Sequence, residues 1–574
     1  MYFIGISAYY HDSSVALIDI NGTLVDFKKE EWLSRVKGDK SFPRLSLKEM
    51  IISHNLTEKN ISSIIFYEKP VRSWLTILKH SIKNNSITND LTRNYFKNAW
   101  KSSMRFQMDI SKHLNTNKIE ILYLDHHLSH TLCSLYYTNE LPCVSVVVDG
   151  YGDKSCTSIH HIKSFSQIDN LWNSDYPDSL GLFYSAITEF LGFAVNEGEY
   201  KMMGLAAFGK PQYYEKIKET IKFEHQKLMV DTDYYDYVRR IDRSYSEKLI
   251  ELLNVKPRIP NNNLELGTNE FQIYANIAAS AQKVLEEILF EILKLAFNLT
   301  GEKKILLSGG VAMNSVAISK CANLDFIESI NVPPSPGDSG AAIGASYFGY
   351  LKKNNHISKN KTKKITDQLF PGNSISDETF FELVFDKIAD KETSIEETAK
   401  LIENNQIIAT CYKNIETGPR ALGHRSLICN AHNKDLIKKL STDIKKRNLF
   451  RPTAPVILEK NAEKYFKVNE KIKNCYYHMG SIAEPLKNVI EDIRGVVHYD
   501  NTSRVQICNE EQLLGKILSK LEDKNIFLIA NTSFNISSDP MVYSKEDAYL
   551  AVERMNIRYL LTENGLYLKK EKKN

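Results

Sequence analysis

The chain has 574 residues, 43% hydrophobic and 25% charged, with 74 basic and 70 acidic side chains and a formal net charge of +4. This length predicts several domains, and the composition excludes disorder, collagen and coiled coil. The small charge predicts no nucleic-acid partner, and no stretch approaches the roughly 18 apolar residues of a membrane span.

The N-terminal IGIS reads as a strand, followed by a loop and an alternating strand, SVALIDI. Asn21-Gly22 then marks a hairpin turn into TLVDF. The start, MYFIGISAYYHDSS, has neither a basic n-region nor a cleavage site. Eight cysteines without a CxxC pair point to reduced thiols, so the expected location is the cytoplasm. A long polar stretch over about 45–118 reads as helical. Two buried strands follow, IEILYLD and CVSVVVDG. A helix carrying Ile277, Ala281, Val284, Ile288, Ile292 and Leu295 at the 3.6 period leads to a third strand, KILLSGG. Strands alternating with helices predict an α/β fold with a largely parallel sheet. Leu351–Thr366 holds six lysines and no acid, the mark of a linker. Beyond it IIATCY, FLIANTSF and YLLTENGLYL predict a second α/β domain. No internal repeat is visible in the sequence.

Four features of the first part carry chemistry. In DHHLSH, His126 and His130 are four apart, so a helix would place both imidazoles on one face. His127 and His130 form a competing pair, and helix capping or core packing is the competing role for the whole motif. Asp149 ends VVVDG, and Asp338 lies in PPSPGDSGAA where small residues open a helix; open α/β sheets bind ligands at such strand ends. Two imidazoles with one or two carboxylates suit Fe(II), Mn(II) or Zn(II). LSGGVAMNS places Gly309, Gly310 and Asn314 between a strand and a helix, where a phosphate could approach. A plain turn explains the two glycines equally well. Ser339 beside Asp338 and Lys201 in EYKMMGLAAFGK complete the candidate nucleotide contacts, although a lysine at a helix end is commonly just solvated.

Gly5-Ile6-Ser7, Asp149-Gly150, Gly309-Gly310 and Gly337-Asp338-Ser339-Gly340 together resemble the actin–hexokinase superfamily, whose members fold two lobes around ATP. The HxxxH and the late Asp resemble its Kae-type branch. HDSSVALI, EEWLSRVKGDKSFP, DHHLSH, VVVDGYGD, GLFYSAITEFLGFAVNEGEYKMMGLAAFGK, LSGGVAMNS, PPSPGDSGAA, GPRALGHRS, RPTAPVILE, VHYDNTSRVQ and NTSFNISSDPMV occur in that order. Their succession is similar to the NodU/CmcH family of O-carbamoyltransferases, over nearly the whole chain. The resemblance implies a two-lobed actin/hexokinase-like (Kae-like) domain over 1–352, a linker over 353–366 and a YrdC-like α/β domain over 367–574. It further implies Fe(II) on His126, His130, Asp149 and Asp338, with ATP as co-substrate. In the implied reaction carbamoyl phosphate yields carbamate, which is adenylated and passed to a hydroxyl of a small, sugar-like acceptor. His11 and Asp12 would orient that acceptor or take its proton.

In the second domain, residues 416–451 hold nine Lys/Arg against three Asp/Glu, a local +6 that exceeds the charge of the whole chain. Lys434, Lys438, Lys439 and Lys446 read as a solvated face. Arginines in apolar, proline-marked turns differ, because an uncompensated buried guanidinium is costly. By resemblance Arg420, Lys445, Arg451, His498, Arg504 and Ser533 would hold carbamoyl phosphate, with Asp500 a lesser candidate and Arg420 and Lys445 also catalytic. The sequence departs from the family at Trp32, Gly38, Lys413, Asn414, Thr417, His424, Asn448 and Ser538. Two rivals are a tRNA threonylcarbamoyl-type enzyme, opposed by the near-neutral charge, and a nucleotide-binding protein that has lost catalysis. Expected partners are small molecules, with no nucleic acid and no membrane; a homodimer stays open.

Overall fold

Five strands at the N-terminus form a mixed sheet in which β1 (Tyr2–Ser7) is the centre, buried on both faces. β2 (Ser14–Asp19) pairs antiparallel with β1, and β3 (Leu24–Lys29) antiparallel with β2 across the Asn21-Gly22 turn. Gly22 takes φ +76°, the left-handed geometry that such a turn requires. β4 (Ile61–Phe66) and β5 (Glu120–Tyr123) extend the other side in parallel, giving the order β3-β2-β1-β4-β5. The computed structural model describes residues 1–83, 105–115, 118–138, 140–260, 262, 264–354, 365–372, 374, 377–448, 450–451, 453–536 and 538–570.

Helix α1 (His126–Tyr136) leads to a second sheet built from β6 (Cys143–Gly152), β7 (Ser155–Ser164) and β8 (Gln167–Asp175). The long helix α2 (Asn269–Thr300) follows, capped by the Thr268 hydroxyl and ended by Gly301. β9 (Lys304–Ser308) and β10 (Ser329–Asn331) then run parallel to β6, and α3 (Asp338–Lys353) closes the unit. The order β10-β9-β6-β7-β8 repeats that of the first sheet: first strand central, an antiparallel hairpin on one side, two parallel strands on the other. This is the two-lobed topology that the actin–hexokinase resemblance implies. The repeat exists in topology and not in sequence.

The connecting helices are exchanged. α1, which leaves the first sheet, packs on β6, β7 and β9 of the second; α3, which leaves the second, packs on β1, β2 and β4 of the first. The two helices also pack on each other, and small residues let them approach. A Cβ at Gly344 would stand 1.8 Å from the Ser129 carbonyl oxygen.

The chain divides into two compact units, Met1–Glu30 with Gly38–Lys364, and Glu31–Lys37 with Ile365–Asn574. A single boundary near 353–366 does not describe this division, because Glu31–Lys37 belongs with the second unit. There Trp32 is buried and stacks on Tyr543 at 5.9 Å, while Arg35 donates to the Pro540 and Met541 carbonyls. The second unit is built on an eight-stranded mixed sheet. Its strands are β11 (Phe385–Asp390), β12 (Ile408–Cys411), β13 (Ser426–Asn430), β14 (Ala454–Leu458), β15 (Gln506–Cys508), β16 (Leu528–Ser533), β17 (Tyr559–Thr562) and β18 (Gly565–Lys569), in the order β11-β18-β17-β12-β13-β16-β14-β15.

Three expectations need correction. The sheets are mixed, not largely parallel, since each carries antiparallel hairpins. The stretch 45–118 is not helical throughout: it holds the strand β4 between helices Arg44–Ser53 and Pro70–Lys83, and residues 84–104 and 116–117 lie outside the described residues. YLLTENGLYL is a hairpin of two strands, not one run. Most of the expected linker, residues 355–364, lies outside the described residues. Among the described residues no helix is long and apolar enough to cross a membrane.

Candidate active site

In the first unit, the start of α1, the end of β6 and the start of α3 bring four side chains together. His126, His130, Asp149 and Asp338 are all buried, and each offers one ligand atom within 4.8 Å of the others. His130 Nε2 lies 3.1 Å from Asp149 Oδ2 and 3.3 Å from Asp338 Oδ1; His126 Nε2 lies 3.4 and 3.6 Å from the same two oxygens. The two Nε2 atoms face each other at 3.1 Å. Burial opposes a charged imidazole at His126, yet the hydrogen bond to Asp149 and the Asp338 carboxylate outweigh it and hold its pKa at about 10. Burial likewise works against the Asp149 carboxylate, but the two imidazoles hold it well below the usual range. The two carboxylates thus make the cluster a place that favours positive charge.

Backbone groups aim these ligands. Asp149 Oδ1 accepts from the Gly150 and Gly310 amides at 2.7 and 3.2 Å, which leaves Oδ2 for the cluster. The Pro336 carbonyl accepts from His130 Nδ1 at 3.1 Å and from the Gly309 amide at 2.9 Å. Nδ1 thus donates to a fixed carbonyl and the ring turns Nε2 toward the cluster, as an orienting partner does for a metal-binding imidazole. Gly309 has φ +87°, and a Cβ there would stand 2.3 Å from the Val148 carbonyl oxygen. His126 receives its backbone position from Asp153 Oδ2, which accepts its amide at 3.0 Å. His126 Nδ1 is buried without a hydrogen-bond partner. Two nitrogens and two oxygens in a dry, charged enclosure suit a divalent first-row metal.

The neighbouring expectations sort themselves by geometry. His11 Nε2 reaches Asp338 Oδ2 at 3.5 Å and its Nδ1 reaches Asp12 Oδ2 at 3.1 Å, so both residues border the cluster. Ser339 lies beside Asp338: its carbonyl accepts from the Ser14 hydroxyl and its own hydroxyl meets that of Ser335. Asn314 caps the helix Ser315–Cys321 and exchanges hydrogen bonds with Gln282. Lys201 stands over the Phe193 and Tyr200 rings, about 6 Å from each centroid. His127, the competing partner, points to the Ser158 hydroxyl at 2.8 Å, and burial pushes its pKa down.

In the second unit a π-helical turn over Leu440–Ile444 delivers Lys445, a geometry that recurs at functional positions. Lys445 is fully buried and donates to the Ser533 carbonyl at 2.5 Å, to Asn535 Oδ1 at 2.7 Å and to the Asn535 carbonyl. These acceptors are all neutral. Burial pushes its pKa well down, and the charges of Arg447, Arg451 and Lys37 add to the effect. Ser533 is thus joined to Lys445 and also to Arg447, whose fork reaches Thr532 Oγ1 at 2.7 Å and Ser533 Oγ at 3.2 Å. In the sequence Arg447 is only one more cation in IKKRNLFRP, with nothing to set it apart.

The GPRALG loop that carries Arg420 is fastened to the sheet. Asn531 donates to the Ala421 carbonyl at 2.9 Å and Gln506 to the Leu422 carbonyl at 2.9 Å. Arg420, Arg451 and Arg504 are half-buried. Buried Arg425 donates from its two terminal nitrogens to the carbonyls of Tyr412, Lys413 and His424, which ties it to its own loop. His498 donates to the Phe450 carbonyl at 3.0 Å and faces Asp500 at 3.6 Å.

The chain joins a duplicated α/β core that holds a buried two-histidine, two-carboxylate cluster to a second unit in which buried Lys445 lies beside Arg447. Family models give the class directly: "Carbamoyltransferase N-terminus" matches residues 2–347 and "Carbamoyltransferase C-terminus" residues 399–569. The chain belongs to the carbamoyltransferase family. It is 28% identical to an uncharacterized protein of Synechocystis sp., over 99% of this chain and 97% of that one. It is 26% identical to nodulation protein NolNO of Sinorhizobium fredii, over 94% of this chain and 76% of the relative. Nodulation protein NolO of Bradyrhizobium diazoefficiens matches 74% of this chain and 75% of its own length at 26% identity.

Proposed function

We propose that this carbamoyltransferase is an ATP-dependent O-carbamoyltransferase. The carrying observation is the convergence of His126, His130, Asp149 and Asp338 within 4.8 Å at the junction of two lobes of nucleotide-binding topology. The Kae-like domain, 1–352, performs adenylation and transfer, and the YrdC-like domain, 367–574, handles carbamoyl phosphate. Arg420, Lys445, Arg451, Arg504 and Ser533 hold that phosphate, which supplies the counter-charge that the neutral acceptors around Lys445 lack. His498 fixes the nearby backbone. Water attacks carbamoyl phosphate, inorganic phosphate leaves and carbamate remains. A carbamate oxygen then attacks the α-phosphorus of ATP, pyrophosphate departs, and the acceptor hydroxyl displaces AMP from the carbamoyl carbon.

When bound, Fe(II) at the four ligands supplies charge neutralisation to phosphate oxygens. The chain itself supports the nucleotide through the Gly309 and Gly310 turn, with Ser339 and Asn314 beside it and Lys201 at the rim. His11 and Asp12 orient the acceptor hydroxyl. A cytoplasmic setting is favoured by eight cysteines that are all unbridged and buried. The test is to incubate the full chain with Fe(II), ATP and carbamoyl phosphate and to follow phosphate, pyrophosphate and AMP. Phosphate release that Arg420→Ala abolishes, and AMP formation that His126→Ala stops while phosphate release persists, are the expected results. An absence of phosphate release overturns the two-centre scheme.

A further inference from the structure

Strand β16 carries Asn531 and Ser533 on one face, since residues two apart in a strand point the same way. Ser533 is joined to Lys445 and Arg447. Asn531 is only 1% exposed and is flanked by Ile428 of β13 and Ala454 of β14. A carboxamide among such apolar neighbours is costly unless each of its polar groups is met.

Asn531 uses its nitrogen twice. It donates to the carbonyl of Ala421, the residue after Arg420, at 2.9 Å and to Gln506 Oε1 at 2.8 Å. Gln506 in turn donates from Nε2 to the Leu422 carbonyl at 2.9 Å. Flipping either amide would set an oxygen against a carbonyl, so the two carbonyls fix which atom is which. Asn531 Oδ1 remains, buried without a hydrogen-bond partner among the described residues. The loop does not need this oxygen. Glu416 Oε1 accepts from the Leu422, His424 and Arg425 amides at 2.8, 2.8 and 3.0 Å, and Thr410 donates to the Gly423 carbonyl at 2.7 Å. A buried acceptor left unmet is costly, and in a native fold it marks a place where something else supplies the donor. The side chain that carries Oδ1 shares a face with Ser533 and holds the residue after Arg420, and both of those groups are assigned to the phosphate.

We propose that Asn531 is a specificity-determining residue that reads the amino end of carbamoyl phosphate: its Oδ1 accepts a hydrogen from the substrate's amino group while the cations hold the phosphate. This rests on the reading that the second unit takes carbamoyl phosphate, and adds how that unit tells it from other acyl phosphates. Acetyl phosphate has the same phosphate and carbonyl with a methyl in place of the amino group. It would leave Oδ1 unmet and set carbon against it.

The test follows phosphate release by the full chain from carbamoyl phosphate and from acetyl phosphate, without nucleotide or acceptor. The wild type is expected to favour carbamoyl phosphate in kcat/KM by about tenfold to a hundredfold, the scale of one buried hydrogen bond and its unmet partner. Asn531→Leu is expected to lose most of that preference, slowing carbamoyl phosphate far more than acetyl phosphate; Asn531→Ala gives the same result if the leucine does not fit. Thr410→Val loosens the same loop without removing Oδ1, and is expected to slow both substrates alike and keep the preference. A purely structural Asn531 would behave as Thr410 does, because the two substrates share their phosphate end. Equal use of the two substrates by the wild type, as when Oδ1 merely holds a water, or an unchanged ratio in the Asn531 variants, overturns the proposal. No phosphate from either substrate removes the carbamoyl phosphate reading and this proposal with it, while equal release from both removes only the role of Asn531.

Discussion

The ring of His424 lies almost flat on that of Phe370, with centroids 3.7 Å apart, and its Nδ1 donates to the Asn414 carbonyl at 2.7 Å. Asn414 itself donates to the carbonyls of Phe370 and Gly372, and Thr417 to that of Leu369. Asn414, Thr417 and His424 thus serve one end: they fasten residues 368–372 to the loop that carries Arg420.

His424 makes that fastening sensitive to acid. Burial pushes its pKa down to about 3, against about 6.5 in an unfolded chain. Between those values the unfolded chain binds the extra proton, so stability rises with pH and is lost as pH falls from 6.5 toward 3. The expected result is a thermal midpoint that drops over this window in the wild type and drops less in His424→Asn. Parallel pH curves for the two proteins would show the imidazole to be irrelevant.

Gly152 faces His126 so closely that a Cβ would lie 2.0 Å from the ring. Gly152→Ala must displace that imidazole, while the backbone φ there carries no left-handed demand. The variant is expected to stay folded by circular dichroism and to bind Fe(II) roughly ten- to a hundredfold more weakly, as disturbed ligand orientation does elsewhere. Metal analysis of the protein after gel filtration at graded Fe(II) checks it; unaltered retention would mean the ring does not ligate.

Lys445 is a buried amine among cations, and burial holds its pKa well down. Lys445→Met deletes the donor that the Ser533 and Asn535 acceptors share, so the unfolding free energy is expected to fall by about 1–3 kcal/mol, the cost of leaving buried acceptors unpaired. Phosphate release from carbamoyl phosphate is expected to fall by about a hundredfold or more, the scale on which lost anion stabilisation acts. A variant of unchanged stability, or one that keeps full phosphate release, contradicts this reading.

Trp32 buries its ring against Tyr543, 14° from parallel. Trp32→Ala is expected to cost about 3–5 kcal/mol, and Trp32→Phe far less. Hydrogen exchange in Glu31–Lys37 and in the strands of the second unit should quicken together in Trp32→Ala. Faster exchange confined to the first unit would argue against their shared packing.

How much of the molecule is legible in the sequence depends on the length of the signal. The Asn21-Gly22 hairpin and the helix through Ile277 and Leu295 follow from period alone. β4 is hidden because ISSIIF is short, carries two serines and sits in a polar surround, although it pairs between β1 and β5 and is covered by α3. The association of Glu31–Lys37 with the second unit has no local signature, since it arises from packing of residues five hundred positions apart. The family pattern names the four cluster residues, but spacing alone does not separate His126 from His127; the Ser158 hydroxyl does. The Pro336 carbonyl that aims His130, and the Arg447 fork, come from backbone course and side-chain reach that no motif records.

The exchanged helices have a mechanical consequence. His126 and His130 ride on a helix seated against the second sheet, and Asp338 on a helix seated against the first, so the four-residue cluster bridges the two sheets. Any rocking of one sheet against the other must change the distance between those donors. A bound ion would act as a latch whose affinity reports how far the lobes are closed, and an agent that clamps them shut should slow its escape.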